Sequence, residues 1–269
     1  MELTLIRNAT MKILYGGLTL LADPMLSRKG EIESFAGIAS NPTVDLPFPV
    51  DQILSGINGV LASHIHQDHF DKVAFAIIPK DTPIYCQPED EKRFRDGGFK
   101  QVTPIAEQIS FSGIHIRRTM GKHGYGKWEK ELGAVSGFLL NSREEPCLYW
   151  AGDTVWCDEV KHTIDEYRPD IIIVHGCGAK LPGSDHIVMD DRQVVRVCRY
   201  SPESKVIAVH MEALDHSTVN RNQLRDLAIN CGITEANLSI PEDGQTIRLL
   251  YQNGMKCIQR HAKSEMEVI

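Results

Sequence analysis

The chain has 269 residues, a formal net charge of −7, 42% hydrophobic and 24% charged residues, ordinary values for a globular protein with a full core. The acidic balance argues against a general nucleic-acid binder, which needs a basic face to neutralise phosphates. No secretory leader follows Met1, and no apolar run nears the roughly 18 residues of a membrane span. Seven cysteines at 86, 147, 157, 177, 198, 231 and 257 show no Cys-x-x-Cys pair, the usage of reduced thiols in a cytoplasmic protein.

In chain order, Leu3 to Arg7, Met11 to Tyr15 and Leu18 to Ala22 read as three strands, with Gly16-Gly17 as the turn between the last two. Met25 to Val50 carries Gly30, Gly37, Pro42, Pro47 and Pro49 with little periodicity. Such a segment is either a lid, with Phe35 and Phe48 over a site, or a surface loop pinned by those aromatics. The apolar run Gly59 to Ala62 is a strand that delivers Ser63-His64-Ile65-His66-Gln67-Asp68-His69-Phe70-Asp71 to a sheet edge. Three imidazoles and two carboxylates fall within positions 64 to 71. In an extended backbone His64 and His66 face the same way, and Asp68 follows. A helix from Phe70 to Ile78 then turns Asp68 and His69 to the opposite side of the same cavity. Imidazole and carboxylate without thiolate suit two divalent cations, Zn first and Mn or Fe as alternatives.

Further on, Pro83 to Cys86 is a strand and Pro88 to Arg95 a charged helix stopped by Gly97-Gly98. Gln101 to Pro104, Ile109 to Ser112, Ile114 to Thr119, Val135 to Leu140 and Cys147 to Ala151 read as strands. Helices are expected at Asp158 to Tyr167, Arg192 to Tyr200 and Val219 to Asn230, with apolar strands Ile171 to Val174 and Val206 to Val209 between them. A closing hairpin joins Thr246 to Tyr251 with Met255 to Ile258, and Ala262 to Ile269 read as frayed. The β-rich start followed by alternating strand and helix predicts an α/β fold of two facing sheets with helices outside. No linker divides residues 1–269, so one domain is expected.

The remaining ligands of a two-metal site should stand at other strand ends. His123 follows the strand ending at Thr119, Asp153 follows Tyr149-Trp150-Ala151-Gly152, and His210 ends Val206 to Val209. The spacing His64-x-His66-x-Asp68-His69 matches the signature of the metallo-β-lactamase superfamily without a gap. From Leu3 to His216 the chain resembles the branch holding the ascorbate-phosphate lactonase and the N-acylphosphatidylethanolamine phospholipase D type enzymes. Ala22-Asp23-Pro24, Ala151-Gly152-Asp153-Thr154 and Val188-Met189-Asp190 look like segments of that branch. The resemblance implies a four-layer αββα sandwich, with His64, His66 and His123 on one metal, Asp68, His69 and His210 on a second, and Asp153 bridging both.

The chain departs from the pattern in three places. Asn8-Ala9-Thr10 stands where many relatives carry a His, His175 stands where they have a Gly-rich loop, and Glu212 and His216 follow His210. Asp23 is a candidate outer partner of a ligand histidine. His175, His186 and Tyr125 are weak candidates for a leaving-group acid. The expected activity is metal-dependent hydrolysis of a small ester, lactone or phosphoester by a metal-bridging hydroxide, with Asp68 orienting the nucleophile. Arg117, Arg118, Lys122, Lys127 and Lys130 near His123 suggest an anionic substrate such as a sugar-phosphate lactone. The alternatives are a phosphodiesterase or nuclease of the same fold, or a non-catalytic metal-binding protein. A homo-oligomer is compatible with the sequence.

Overall fold

The computed structural model describes residues 1–249. The first half contains β1 (Glu2–Arg7), β2 (Thr10–Tyr15), β3 (Leu18–Ala22), α1 (Val50–Leu54), β4 (Gly59–Ala62), α2 (Lys72–Ile77), β5 (Ile84–Cys86), α3 (Glu91–Asp96) and β6 (Val102–Pro104). The second contains β7 (Gln108–Phe111), β8 (Ile114–Met120), α4 (Lys127–Glu131), β9 (Ser136–Ser142), β10 (Leu148–Trp150), α5 (Asp158–Tyr167), β11 (Ile171–His175), α6 (Asp191–Tyr200), β12 (Lys205–Val209), α7 (Arg221–Asn230), β13 (Leu238–Ser239) and β14 (Thr246–Arg248). Two seven-stranded sheets result, ordered β14-β1-β2-β3-β4-β5-β6 and β13-β12-β11-β10-β9-β8-β7. Each has antiparallel strands at one side and parallel strands at the other.

Period-two alternation makes the layers. Leu3, Leu5, Met11, Ile13 and Leu20 of the first sheet meet Ile116, Phe138, Leu140, Trp150, Ile173 and Ile207 of the second in one buried cluster. The alternate residues Leu21, Val60, Ala62 and Ile84 face outward onto Ala74 of α2 and Phe94 of α3. On the far side Tyr149, Ile172, Val174 and Val206 pack on Val160 of α5, Val194 of α6 and Leu224 of α7. This is the expected αββα sandwich.

Local chemistry sets the helix ends. Asp71 and Asp190 accept from the backbone N–H groups of Ala74 and Gln193, and Asn220 forms a capping box with Gln223. Asp71 is therefore a cap, and α2 starts at Lys72 rather than Phe70. α1 and α4 were not anticipated; each has five residues, too short for a periodic signal. β14 pairs with β1, and its expected partner Met255 to Ile258 lies outside the described residues, as do Ala262 to Ile269. Among the described residues no helix is long and apolar enough to cross a membrane, and Cys86, Cys157, Cys177, Cys198 and Cys231 are free thiols.

Residues 25–49 are held down at two points. The fully buried Arg7 guanidinium donates to the carbonyls of Met25, Ser27 and Val44. Asp215 accepts from the backbone N–H groups of Phe35 and Ala36 and from the Asn41 side chain. Phe35 packs edge-on against His216 with ring centres 5.2 Å apart. The segment is thus anchored by polar contacts as well as by aromatics.

Candidate metal centre

β4 stops at Ala62, so the histidine cluster is not carried on an extended strand as the alternation suggested. A tight turn, with the N–H groups of His69 and Phe70 both donating to the His66 carbonyl, folds His66 to His69 back on themselves. His123 follows β8, Asp153 follows β10 and His210 directly follows β12. The loops after these strands and after β4 converge at one edge of the sandwich. His64, Asp68, His69, His123, Asp153 and His210 are buried there, and His66 is half-buried.

Asp153 is the common neighbour. Its Oδ2 lies 3.1 Å from His69 Nε2, 3.5 Å from His123 Nε2 and 3.9 Å from His64 Nε2. Its Oδ1 lies 3.7 Å from His210 Nε2. Asp68 Oδ2 is 3.4 Å from His210 Nε2 and 3.6 Å from His69 Nε2. His66 Nδ1 is 2.9 Å from His64 Nε2. All seven residues singled out in the sequence are therefore brought together. The ligand atoms of His64, His66 and His123 form one close group, and those of His69, Asp153 and His210 belong to another that also takes in His175.

The outer contacts decide which way each ring points its lone pair. Asp23 accepts from the backbone N–H and hydroxyl of Ser63 and from His69 Nδ1, the last at 2.6 Å. With its proton given to Asp23, the Ser63 hydroxyl can only accept from His64 Nδ1, 3.0 Å away. His123 Nδ1 donates to the carbonyl of Ile187 at 2.9 Å. Their Nε2 atoms thus face Asp153 Oδ2 as bare acceptors when the rings are neutral. Acceptors facing acceptors at 3 to 4 Å call for cations between them, so the residues present fit divalent metal.

The electrostatics agree. Burial pushes His123 down to about 4 against the pull of Asp153, leaving a neutral imidazole at pH 7. Burial also opposes charge on His69, but Asp153, Asp68 and Asp23 outweigh it and hold that ring up at about 10. Without metal, a proton on His69 takes the place a cation would fill. Asp153 is held well below the usual carboxylate range; burial works against this and is overcome by His69 and His210.

Several contributors were not legible as such. Asn8, in a left-handed conformation (φ 59°), donates through its side chain to the Asp68 carbonyl and accepts from the His210 N–H. His210 also has a positive φ, 62°, unusual for a bulky residue and a mark of a constrained site. Buried His175 reaches Asp153 Oδ1 with Nδ1 at 2.5 Å. The Cys177 thiol lies 3.3 Å from His210 Nδ1. Buried His216 leaves its Nδ1 without a hydrogen-bond partner. Glu212 turns to Arg221 instead of the cluster, and half-buried His186 is 3.4 Å from Asp190. Tyr125 contacts Gln193 and is exposed. Of the basic residues near His123, Arg118 pairs with Glu89 and Lys122 with Glu159.

Comparison with known proteins bears on this arrangement. The family model described as a beta-lactamase superfamily domain matches residues 19–211. The UPF0173 protein YddR of Bacillus subtilis is 36% identical over 252 residues, covering 91% of this chain and 99% of that protein. A possible metal-dependent hydrolase from Veillonella parvula superposes with a TM-score of 0.89 at 35% identity, covering 92% of this chain and 99% of that one. An isothiocyanate hydrolase from Delia radicum gut bacteria gives 0.87 at 32% identity, over 93% and 99%. The chain belongs to the beta-lactamase superfamily, among its metal-dependent hydrolases of the metallo-β-lactamase fold.

Proposed function

We propose that the chain is a binuclear metal-dependent hydrolase of a small electrophilic substrate. The observation that carries this is the convergence of His64, His69, His123 and His210 on the two oxygens of Asp153. His64, His66 and His123 would hold one divalent cation, Asp68, His69 and His210 the other, and Asp153 both. Zn is the first choice for such a donor set, with Mn or Fe as alternatives. Bound cations supply Lewis acidity and hydroxide near neutral pH. Asp68, whose Oδ2 faces His69 and His210, would orient the attacking water. Both sheets feed the site, which supports reading residues 1–269 as one domain.

Arg118 and Lys122 pair with acids, while Arg117 and Lys127 face Tyr167 and Trp128 and leave positive charge near His123 to favour an anionic substrate such as a sugar-phosphate lactone. A small ester or lactone fits this reading. The likeness to a solved isothiocyanate hydrolase brings a second substrate class, with attack at the central carbon of an isothiocyanate.

The test is metal analysis of purified protein beside a panel of lactone, phosphodiester, RNA and isothiocyanate substrates. His66→Ala and Asp153→Ala are expected to lose metal together with at least about 100-fold of activity, since loss of even an outer partner costs about 10–100-fold. A variant stripped of metal but fully active would rule the mechanism out. Turnover of RNA alone would replace it with the nuclease reading.

A further inference from the structure

We propose that Trp150 and His175 form a relay that positions Asp153, and that His175 is not itself a metal ligand. The inference rests on the metal-centre reading above but derives from hydrogen-bond chemistry alone. His175 ends β11, fully enclosed, with its Nδ1 close enough to join His69, Asp153 and His210 in a ligand-like group. On distance it qualifies as a ligand.

The other side of the ring excludes this. Trp150, fully buried in the core between the sheets, donates its indole N–H to His175 Nε2 at 3.0 Å. An indole nitrogen has no lone pair to offer and can only donate. His175 Nε2 must then be the bare, accepting nitrogen, and the single proton of the neutral ring sits on Nδ1. That proton points at Asp153 Oδ1, 2.5 Å away. Neither nitrogen of His175 is left for a metal: one carries a proton and the other is capped by Trp150. Protonating the ring further would cost the Trp150 hydrogen bond, so the ring is held in one tautomer.

The consequence falls on Asp153. One of its oxygens is engaged by a charge-assisted hydrogen bond. Oδ2 is left as the atom shared among His64, His69 and His123. Oδ1, divided between His175 Nδ1 and the side of His210, is the weaker donor.

Two measurements test this. Long-range 1H–15N correlation spectra of 15N-histidine-labelled protein, stripped of metal and reloaded with Zn, are expected to show one histidine with a protonated Nδ1 and a bare Nε2 in both states. Its Nε2 resonance should shift in Trp150→Phe, which assigns it. A His175 Nδ1 that is protonated in stripped protein but bare after Zn loading would make it a ligand and overturn the relay. In Zn titrations, His175→Leu is expected to weaken Zn binding by about 10–100-fold, whereas His175→Asn, whose side-chain N–H can still reach Asp153, retains most of it. Equal losses in the two variants would also overturn the proposal. Absence of any Zn binding by the unsubstituted protein would sink the metal-centre reading while leaving the tautomer result intact.

Discussion

At neutral pH the Asp90 carboxylate is a buried charge that the fold tolerates without a basic partner in hydrogen-bond contact. Burial raises it to about 6, Gln87 pulls the other way through a hydrogen bond, and Glu89 adds repulsion. The folded state therefore holds this proton more tightly than the unfolded chain, whose value is 3.8. The charge costs nothing below about pH 4, the cost grows as pH rises between the two values, and it is complete above about 6. The rise from 3.8 to about 6 sets a ceiling of roughly 3 kcal/mol, and relaxation around the side chain brings the expectation to about 1–2. Asp90→Asn should stabilise by that amount at pH 7 and by little at pH 4, read from urea midpoints at both. A gain independent of pH would show that shape, not charge, is responsible.

The same scale shows what was legible and what was not. His64, His66, Asp68 and His69 announce themselves because four donors within six positions of one turn have no bland explanation. His123, Asp153 and His210 were found because each stands at or just after a strand end. Asn8, Ser63 and Trp150 carry no such mark, and His175, which closes the apolar run Ile171 to Val174, was singled out only as a candidate leaving-group acid. Their roles arise only when a strand end from one part of the chain meets a loop from another, as Asn8 does with Asp68 and His210. A residue that acts through a neighbour distant in sequence leaves no local pattern.

Among the elements, strands and long helices were readable from periodicity, and α5 matches its expected span of 158 to 167. What periodicity could not describe was the segment from 25 to 49, whose order depends on contacts to Arg7 and Asp215. Asp215 shows how much one side chain organises there. Besides Phe35, Ala36 and Asn41 it receives the Ser34 hydroxyl and the N–H groups of Ile38 and Ala39. Burial works to raise its carboxyl, and this set of donors, led by Ser34 and Asn41, overrides it and holds the group below the usual range. Its contribution is present at neutral pH and is lost only as pH falls below the ordinary carboxylate value. Asp215→Ala should free the segment at a cost on the order of 2–3 kcal/mol, the worth of hydrogen bonds to a charged acceptor. Limited proteolysis at neutral pH is the measurement, with new cleavage expected between residues 28 and 40. An unchanged digestion pattern would mean that Arg7 and the packing of Phe35 on His216 suffice.

For the molecule as a whole, metal bound at the candidate centre would add a clamp between two halves that already meet through apolar packing and through polar contacts such as those of Asp215 with Phe35 and Asn41 and of Arg118 with Glu89. The first half supplies His64, His66, Asp68 and His69, and the second supplies His123, Asp153 and His210. Core packing between Leu3, Leu5 and Met11 on one side and Phe138, Trp150 and Ile207 on the other holds the sheets together without metal. The metal-free protein should therefore still fold, with protons such as that on His69 easing repulsion among the carboxylates. Cations that bind only the folded arrangement add stability by mass action, about 4 kcal/mol when free metal exceeds Kd a thousandfold. Stripping with a chelator should lower Tm by several degrees without abolishing the cooperative transition, and Zn should restore it. In Asp153→Ala the chelator and Zn should both have little effect, because the carboxylate on which His64, His69, His123 and His210 converge is gone. Equal Tm values for stripped and reloaded unsubstituted protein would mean that no cation draws on both halves of the sandwich.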